Sequence, residues 1–214
     1  MALSNYTELK AAVADLIHRT DLTTQIVDFI NMAEAKINRT LRARLMEVDE
    51  TLSLTSGTRT VALPSLFYEP IALDLVISGQ SNTRLIPILP QELNINDSSL
   101  VLTRPVYYAI NGANIEFPNK SDATYSLSFR YVKGYAIAAT STNTLLTTHP
   151  DLYLYGAALY AAPHIVGDSR IQIWKGYFDE IIKEIISNDV RTKSKVSLMT
   201  EIGVTPRENI ITGN

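Results

Sequence analysis

The spacing of apolar residues changes period twice along the chain, and this restricts the fold more than any single motif. Up to about Met46 the apolar positions recur at three- and four-residue steps, through much of residues 51–132 at two, and from Leu152 to Ile185 again at three and four. A helix repeats every 3.6 residues and a strand every two, so neither pattern can be satisfied in the other element. Helical ends must therefore enclose a β centre. The fold class this predicts is α+β: a helical bundle of two N-terminal and two C-terminal helices, with an inserted antiparallel β module and an extended C-terminal arm. The expected boundaries are 1–48 with 145–190 for the bundle, 49–144 for the β domain and 191–214 for the arm. The 214 residues are 46% hydrophobic, enough to bury a core.

At the N-terminal end, Ser4 reads as a cap ahead of Leu9, Val13, Leu16 and Ile17, with closure near His18 and Arg19. A second helix, capped by Asp21 or Thr23, carries Ile26, Phe29, Ile30, Ala33, Ile37, Leu41 and Leu45. On this count it runs to about Met46 and is the longest in the chain. Lys36, Arg39, Arg42 and Arg44 gather at its end with no acid between Ala35 and Met46. Two readings of Arg39, Arg42 and Arg44 stand side by side: cations complementing a helix C-terminus, or contacts to an acidic partner or phosphate.

In the centre, Thr51 to Thr55 and Thr58 to Leu63 alternate about Ser56-Gly57 and predict a hairpin. Ile71 to Ile77 and Arg84 to Leu89 read as further strands, and Pro90 to Leu93 as a single helical turn or a loop. Asn111-Gly112, between Tyr107 to Ile110 and Ala113 to Phe117, is the strongest local turn signal. Tyr125, Leu127, Phe129 and Tyr131 alternate with Ser126, Ser128, Arg130 and Val132 as a half-buried strand. Residues 138–148 read as a polar connector.

At the C-terminal end, His149-Pro150-Asp151 marks a helix start, with proline at a position whose missing N–H costs nothing. Leu152, Tyr155, Gly156, Leu159 and Tyr160, with alanines between them, predict a helix buried on most sides. Gly167-Asp168-Ser169 then supplies a C-terminal glycine and a cap for a helix from about Arg170. Its apolar face is Ile171, Trp174, Tyr177 or Phe178, Ile181, Ile182 and Ile185.

Catalytic chemistry finds no support in these residues. There is no cysteine, which excludes disulfides, thiolate metal sites and cysteine nucleophiles. His18, His149 and His164 have no metal-ligand spacing, there is no nucleophile elbow, P-loop or G-x-G-x-x-G, and no cofactor is expected. Asp179, Glu180 and Glu184 interleave with Lys175 and Lys183 as a solvated helix face. The net charge of −3 excludes the strongly basic balance of non-specific nucleic-acid binders. No run approaches the roughly 18 apolar residues of a membrane span, and the first residues read as a helix rather than a secretory leader.

Binding surfaces remain. Eleven tyrosines against five phenylalanines and one tryptophan is a high share, and Tyr suits partly wet interfaces. Tyr153, Tyr155 and Tyr160 circle one helix, so not all can enter one core. With Trp174 they form the candidate subunit interface. In the C-terminal arm Arg191, Lys193 and Lys195 are mixed with Leu198, Met199, Ile202 and Ile210, whose apolar side chains exceed what a solvated tail requires and predict an arm that orders on a partner.

Leu3 to Lys10, Asp28-Phe29-Ile30 with Ala33 to Arg42, and above all His149 to Ala157 with Ala161-Ala162-Pro163 resemble the adaptor, or head-to-tail connector, proteins of tailed bacteriophages and prophages. The likeness covers most of residues 3–186, by sequence in the helical segments and by layout in the β portion. It implies a virion structural protein, made in the host cytoplasm and placed at the neck. There a dodecameric ring would join the portal to the tail or nozzle proteins and line the DNA exit channel. Double-stranded DNA would pass without specific binding and no membrane would be involved. The arm, including Arg191 and Ile210, would dock on the portal. A different class stays open on the residues alone: a non-enzymatic carbohydrate- or protein-binding module using the β domain.

Overall fold

The computed structural model of the chain describes residues 3–93, 102–165 and 167–202, with side chains as far as Thr192. The chain divides into two compact units, Met1–Arg44 with Ile137–Asn214, and Leu45–Ala136. Both joints fall a few residues earlier than the change of period suggests. The reason is local: the first strand starts at Glu47, and much of the expected connector is helical.

In the helical unit, α1 (Tyr6–Ile17) buries Leu9, Val13 and Ile17. Its cap is Asn5, whose side chain accepts the Glu8 N–H at 3.0 Å; Ser4 instead holds the Glu8 carboxylate through its own N–H and hydroxyl. His18 closes the helix in the left-handed region at φ 53°. Helix α2 (Thr23–Thr40) buries Ile26, Phe29, Ile30, Ala33, Ile37 and, among these apolar residues, Glu34. It stops at Thr40 because Leu41 turns extended, so Arg42 and Arg44 lie beyond the helix although the apolar spacing continues. Asp21 does not cap it but pairs with Arg19.

Two short helices, α3 (Ile137–Thr140) and α4 (Thr144–Thr148), occupy the expected connector, and Asn143 caps α4 by accepting the Leu146 N–H at 2.7 Å. Helix α5 (Pro150–Tyr160) starts at its proline and packs against α1, α2, α4 and α6 (Arg170–Ile202). Gly156 is the point of closest approach. A Cβ there would meet Phe178 Cε2 at 2.9 Å and the Ala33 Cβ at 3.1 Å, so three helices converge where only a glycine fits. The α6 face is Trp174, Phe178, Ile181, Ile182 and Ile185, with Phe178 rather than Tyr177 turned inward. At 33 residues α6, not α2, is the longest described helix. The first part of the expected extended arm is therefore helical, as nothing in residues 191–202 breaks the pattern before Gly203.

In the β unit the strands are β1 (Glu47–Leu54), β2 (Thr60–Ala62), β3 (Phe67–Val76), β4 (Thr83–Arg84), β5 (Ile86–Pro87), β6 (Leu102–Thr103), β7 (Tyr107–Asn111), β8 (Asn114–Glu116), β9 (Lys120–Ser121) and β10 (Tyr125–Lys133). One sheet has the order β1-β10-β3-β4 and the other β2-β8-β7-β5, with β6 and β9 as a separate pair. The long ladders are antiparallel; the two-residue pairings β5 with β7 and β6 with β9 are parallel. The chain crosses between sheets at Leu85. The Leu85 N–H donates to the Leu73 carbonyl and the Ile86 N–H to the Val106 carbonyl, both at 2.9 Å.

The predicted hairpin about Ser56-Gly57 turns there but does not pair. β1 lies against β10 with Leu54 opposite Tyr125, whereas β2 lies against β8. The Asn111-Gly112 hairpin forms between β7 and β8. Its two-residue loop is Gly112-Ala113, with positive φ at Gly112 alone, the pattern of a type II′ turn. Between the sheets lies a core of Leu54, Leu73, Leu75, Leu85, Tyr108, Ile115, Phe117, Leu127, Phe129 and Tyr131.

Candidate functional site

Helix α5 sorts its tyrosines by which face is covered. Tyr153 is fully buried, and its hydroxyl donates to Glu34 Oε1 at 2.8 Å. The Ile137 N–H donates to the same oxygen at 2.9 Å, and Asn143 Nδ2 donates to the Tyr153 hydroxyl at 2.9 Å. Glu34, 6% exposed, thus ties α2 to α5 and to the start of α3. Burial pushes its carboxyl up from the usual carboxylate range, and the two hydrogen bonds only partly oppose that shift. The buried Tyr6 hydroxyl is also pushed up, by burial and by the Glu34 and Asp28 charges. A carboxylate, tyrosines and amides without a nucleophile or a second acid at the network make a structural polar knot. No group of three or more His, Cys, Asp and Glu that could hold a metal occurs among the described residues.

Two of the four expected interface residues are therefore corrected. Tyr153 is committed to Glu34 inside the subunit. Trp174, 4% exposed, lies in the α6 core face with the Arg170 guanidinium over its ring at 5.2 Å. A side chain already buried in its own chain has no surface left to bury against another. Tyr155 and Tyr160 stay half-buried at the helix surface. The Tyr155 ring lies 5.1 Å from that of Tyr177, which is 46% exposed, and Ile173, one turn back on α6, is 53% exposed. This flank was hidden in the sequence because Tyr177 and Phe178 compete for the core at the same spacing.

The arginines also separate. Arg42 Nη1 donates to the carbonyls of Asn38 at 2.7 Å and Leu41 at 2.8 Å, closing the end of α2. The Arg44 backbone N–H donates to Asp189 on α6 at 3.1 Å, while the Arg39 and Arg44 side chains are exposed. In the expected arm, Arg191 is exposed on α6, and Lys193, Lys195, Leu198, Met199 and Ile202 lie along its last turns. Ile210 lies outside the described residues.

In the β unit Ile86, Leu89, Val106 and Tyr107 are between 45% and 59% exposed. They stand on β5, β7 and the residues next to them, at one end of the second sheet. Alternation assigns their strands but not the uncovered edge. The opposite character holds on the outer face of the first sheet, where Asp49 and Arg130 pair across β1 and β10 at 2.8 Å and Asp74 pairs with Arg84 across β3 and β4.

A bundle with an inserted β module, a buried polar knot, and aromatic and apolar surface exposed on both units are features of a subunit built for assembly. The SU10 adaptor protein family model matches residues 4–200, and the chain belongs to that family. It is a structural adaptor of phage head-to-tail connection, a virion component whose partners are portal and tail proteins. No curated protein matches the chain.

Proposed function

We propose that the chain acts as one subunit of a dodecameric ring at the neck of the virion, beneath the portal, with the DNA exit channel at its centre. The observation that carries this reading is the family match over residues 4–200. The exposed Tyr155, Ile173 and Tyr177 flank supports packing against a neighbouring subunit. The Ile86, Leu89, Val106 and Tyr107 edge supports a contact between the β unit and tail components. Residues 191–214, including Arg191, Lys193, Lys195, Leu198, Met199, Ile202 and Ile210, would dock on the portal, with the chain synthesised in the host cytoplasm before assembly. The exposed Arg39 and Arg44 side chains are proposed contacts to an acidic partner surface. The net charge of −3 suits a channel through which DNA must slide, since many phosphate contacts would hold it.

The test is to mix the purified protein with portal particles and measure particle mass and rotational symmetry by electron microscopy. Added twelvefold rings are expected, and a chain cut after residue 190 should bind the portal at least tenfold more weakly. Absence of any association with the portal, with or without the arm, overturns the reading.

A further inference from the structure

Besides the α5 and α6 flank, the helical unit carries a second surface that its own core does not use. Between α1 and α2 a groove of about 260 Å³ is lined by Thr7, Lys10, Ala11, Ala14, Thr23 and Ile26. Ile26 is 1% exposed, and apart from it and Lys10 the lining side chains are short. The volume is below the roughly 300–1,000 Å³ of small-molecule sites, so the groove suits one or two side chains rather than a metabolite. Lys10 is the one ionisable residue in its lining, and its ammonium sits 4.9 Å from the centre of the Tyr6 ring.

The flank complements this groove in apolar character and in charge. Ile173, Tyr177, Glu180 and Glu184 recur at four-, three- and four-residue steps and so share one stripe of α6, with the Tyr155 ring tilted against that of Tyr177 at 5.1 Å. Both apolar members protrude, and both acids are exposed. A protruding aromatic and aliphatic pair followed by carboxylates matches an apolar groove with a cation among its lining residues.

We infer that the occupant of the α1–α2 groove is a second copy of this chain, which inserts Tyr177 and Ile173 while its Glu180 meets Lys10. In the ring of the reading above the contact is head-to-tail: each copy uses its knob toward one neighbour and its groove toward the next. Such contacts build closed rings or open filaments, not isolated two-fold dimers. The inference rests on the ring reading above and names the two faces that meet.

The full-length chain is tested on portal particles. Ile173→Ser and Tyr177→Ala, both at exposed positions, should leave the monomer's melting curve unchanged and lower ring occupancy at least tenfold. Lys10→Glu and Glu180→Lys should each weaken assembly roughly fivefold, and the two together should restore it. Because the chain has no cysteine, Lys10→Cys with Glu180→Cys provides a clean cross-linking readout. A short bismaleimide, which bridges two thiols across the span of the replaced side chains, should give a ladder of covalent oligomers, whereas either cysteine alone should give none. Rings that form without a ladder, or Glu180→Cys alone giving covalent dimers, overturn the pairing of faces while the ring reading stands. No rings with the unaltered chain overturns both.

Discussion

The helical unit fully buries one acid, whereas the β unit keeps its acids half-buried or on its outer face. In the helical unit Glu34 is inside, shared by the Tyr153 hydroxyl and the Ile137 N–H. In the β unit the core side chains are apolar or tyrosine, the half-buried Glu50 accepts the Tyr131 hydroxyl at 2.7 Å, and Asp49 with Arg130 and Asp74 with Arg84 stand on the outer face. The helical unit is assembled from two separated stretches of chain, and its buried carboxylate fixes how they meet. The β unit is one continuous stretch whose register is already held by long ladders, so its ion pairs have little left to decide.

The largest effect is expected from Phe129→Ala, which empties the centre of the β core and should cost about 3–5 kcal/mol. Hydrogen exchange should show the loss in residues 45–136, with the helical unit's slow amides unchanged; equal loss in both units would end the comparison. Next comes Glu34→Ala. It leaves the Tyr153 hydroxyl and the Ile137 N–H without an acceptor and should cost about 2–4 kcal/mol by denaturant titration at neutral pH.

Glu34→Gln sharpens the same point. The folded-state pKa of Glu34 is raised above its ordinary 4.5, so its stabilising contribution is full below that value and is lost as pH rises through the raised pKa. The amide variant keeps an acceptor and should lack this slope. Asp49 has the opposite sign. Arg130 depresses its pKa below 3.8, so any contribution is present above that value and is lost as pH falls through the depressed one. A stability profile that is flat in the native chain between pH 4.5 and neutrality would refute the buried-charge account of Glu34.

Gly156→Ala should be smaller, about 1–3 kcal/mol. The sign is informative, because alanine is the better helix former and only the crowding by Phe178 and Ala33 makes it harmful. Smallest is Asp49→Asn, which exposure and salt should confine to a melting shift under about 2 °C.

What the sequence made legible was local. Proline at the start of α5, glycine after it and the stripe on α6 mark the hairpin without reference to anything distant. The end of α2 was not legible, because Leu41 and Leu45 continue the helical spacing after the backbone has turned extended. Nor was the partner of β1. Alternation and Ser56-Gly57 point to the adjacent strand, but Leu52 and Leu54 find their opposite residues in Leu127 and Tyr125, a pairing that no local rule encodes. The burial of the α5 tyrosines was half legible for the same reason. Their excess indicates that some must be exposed, yet Tyr153 goes inward because of Glu34, and an acid inside the Ile30, Ala33 and Ile37 stripe was its only sign.

The Ile137 to Glu34 hydrogen bond also sets an order of events during synthesis. Thr40, the last residue of α2, and Pro150, the first of α5, are about 110 residues apart, so at roughly 5–20 residues per second their emergence is separated by on the order of 5–20 s. Through that interval Leu9, Val13, Phe29 and Ile37 have no α5 to cover them, while the β strands emerge as an uninterrupted stretch. Helices α1 and α2 are thus completed only when α5 follows them, and the nascent chain carries an uncovered apolar helical face throughout that interval.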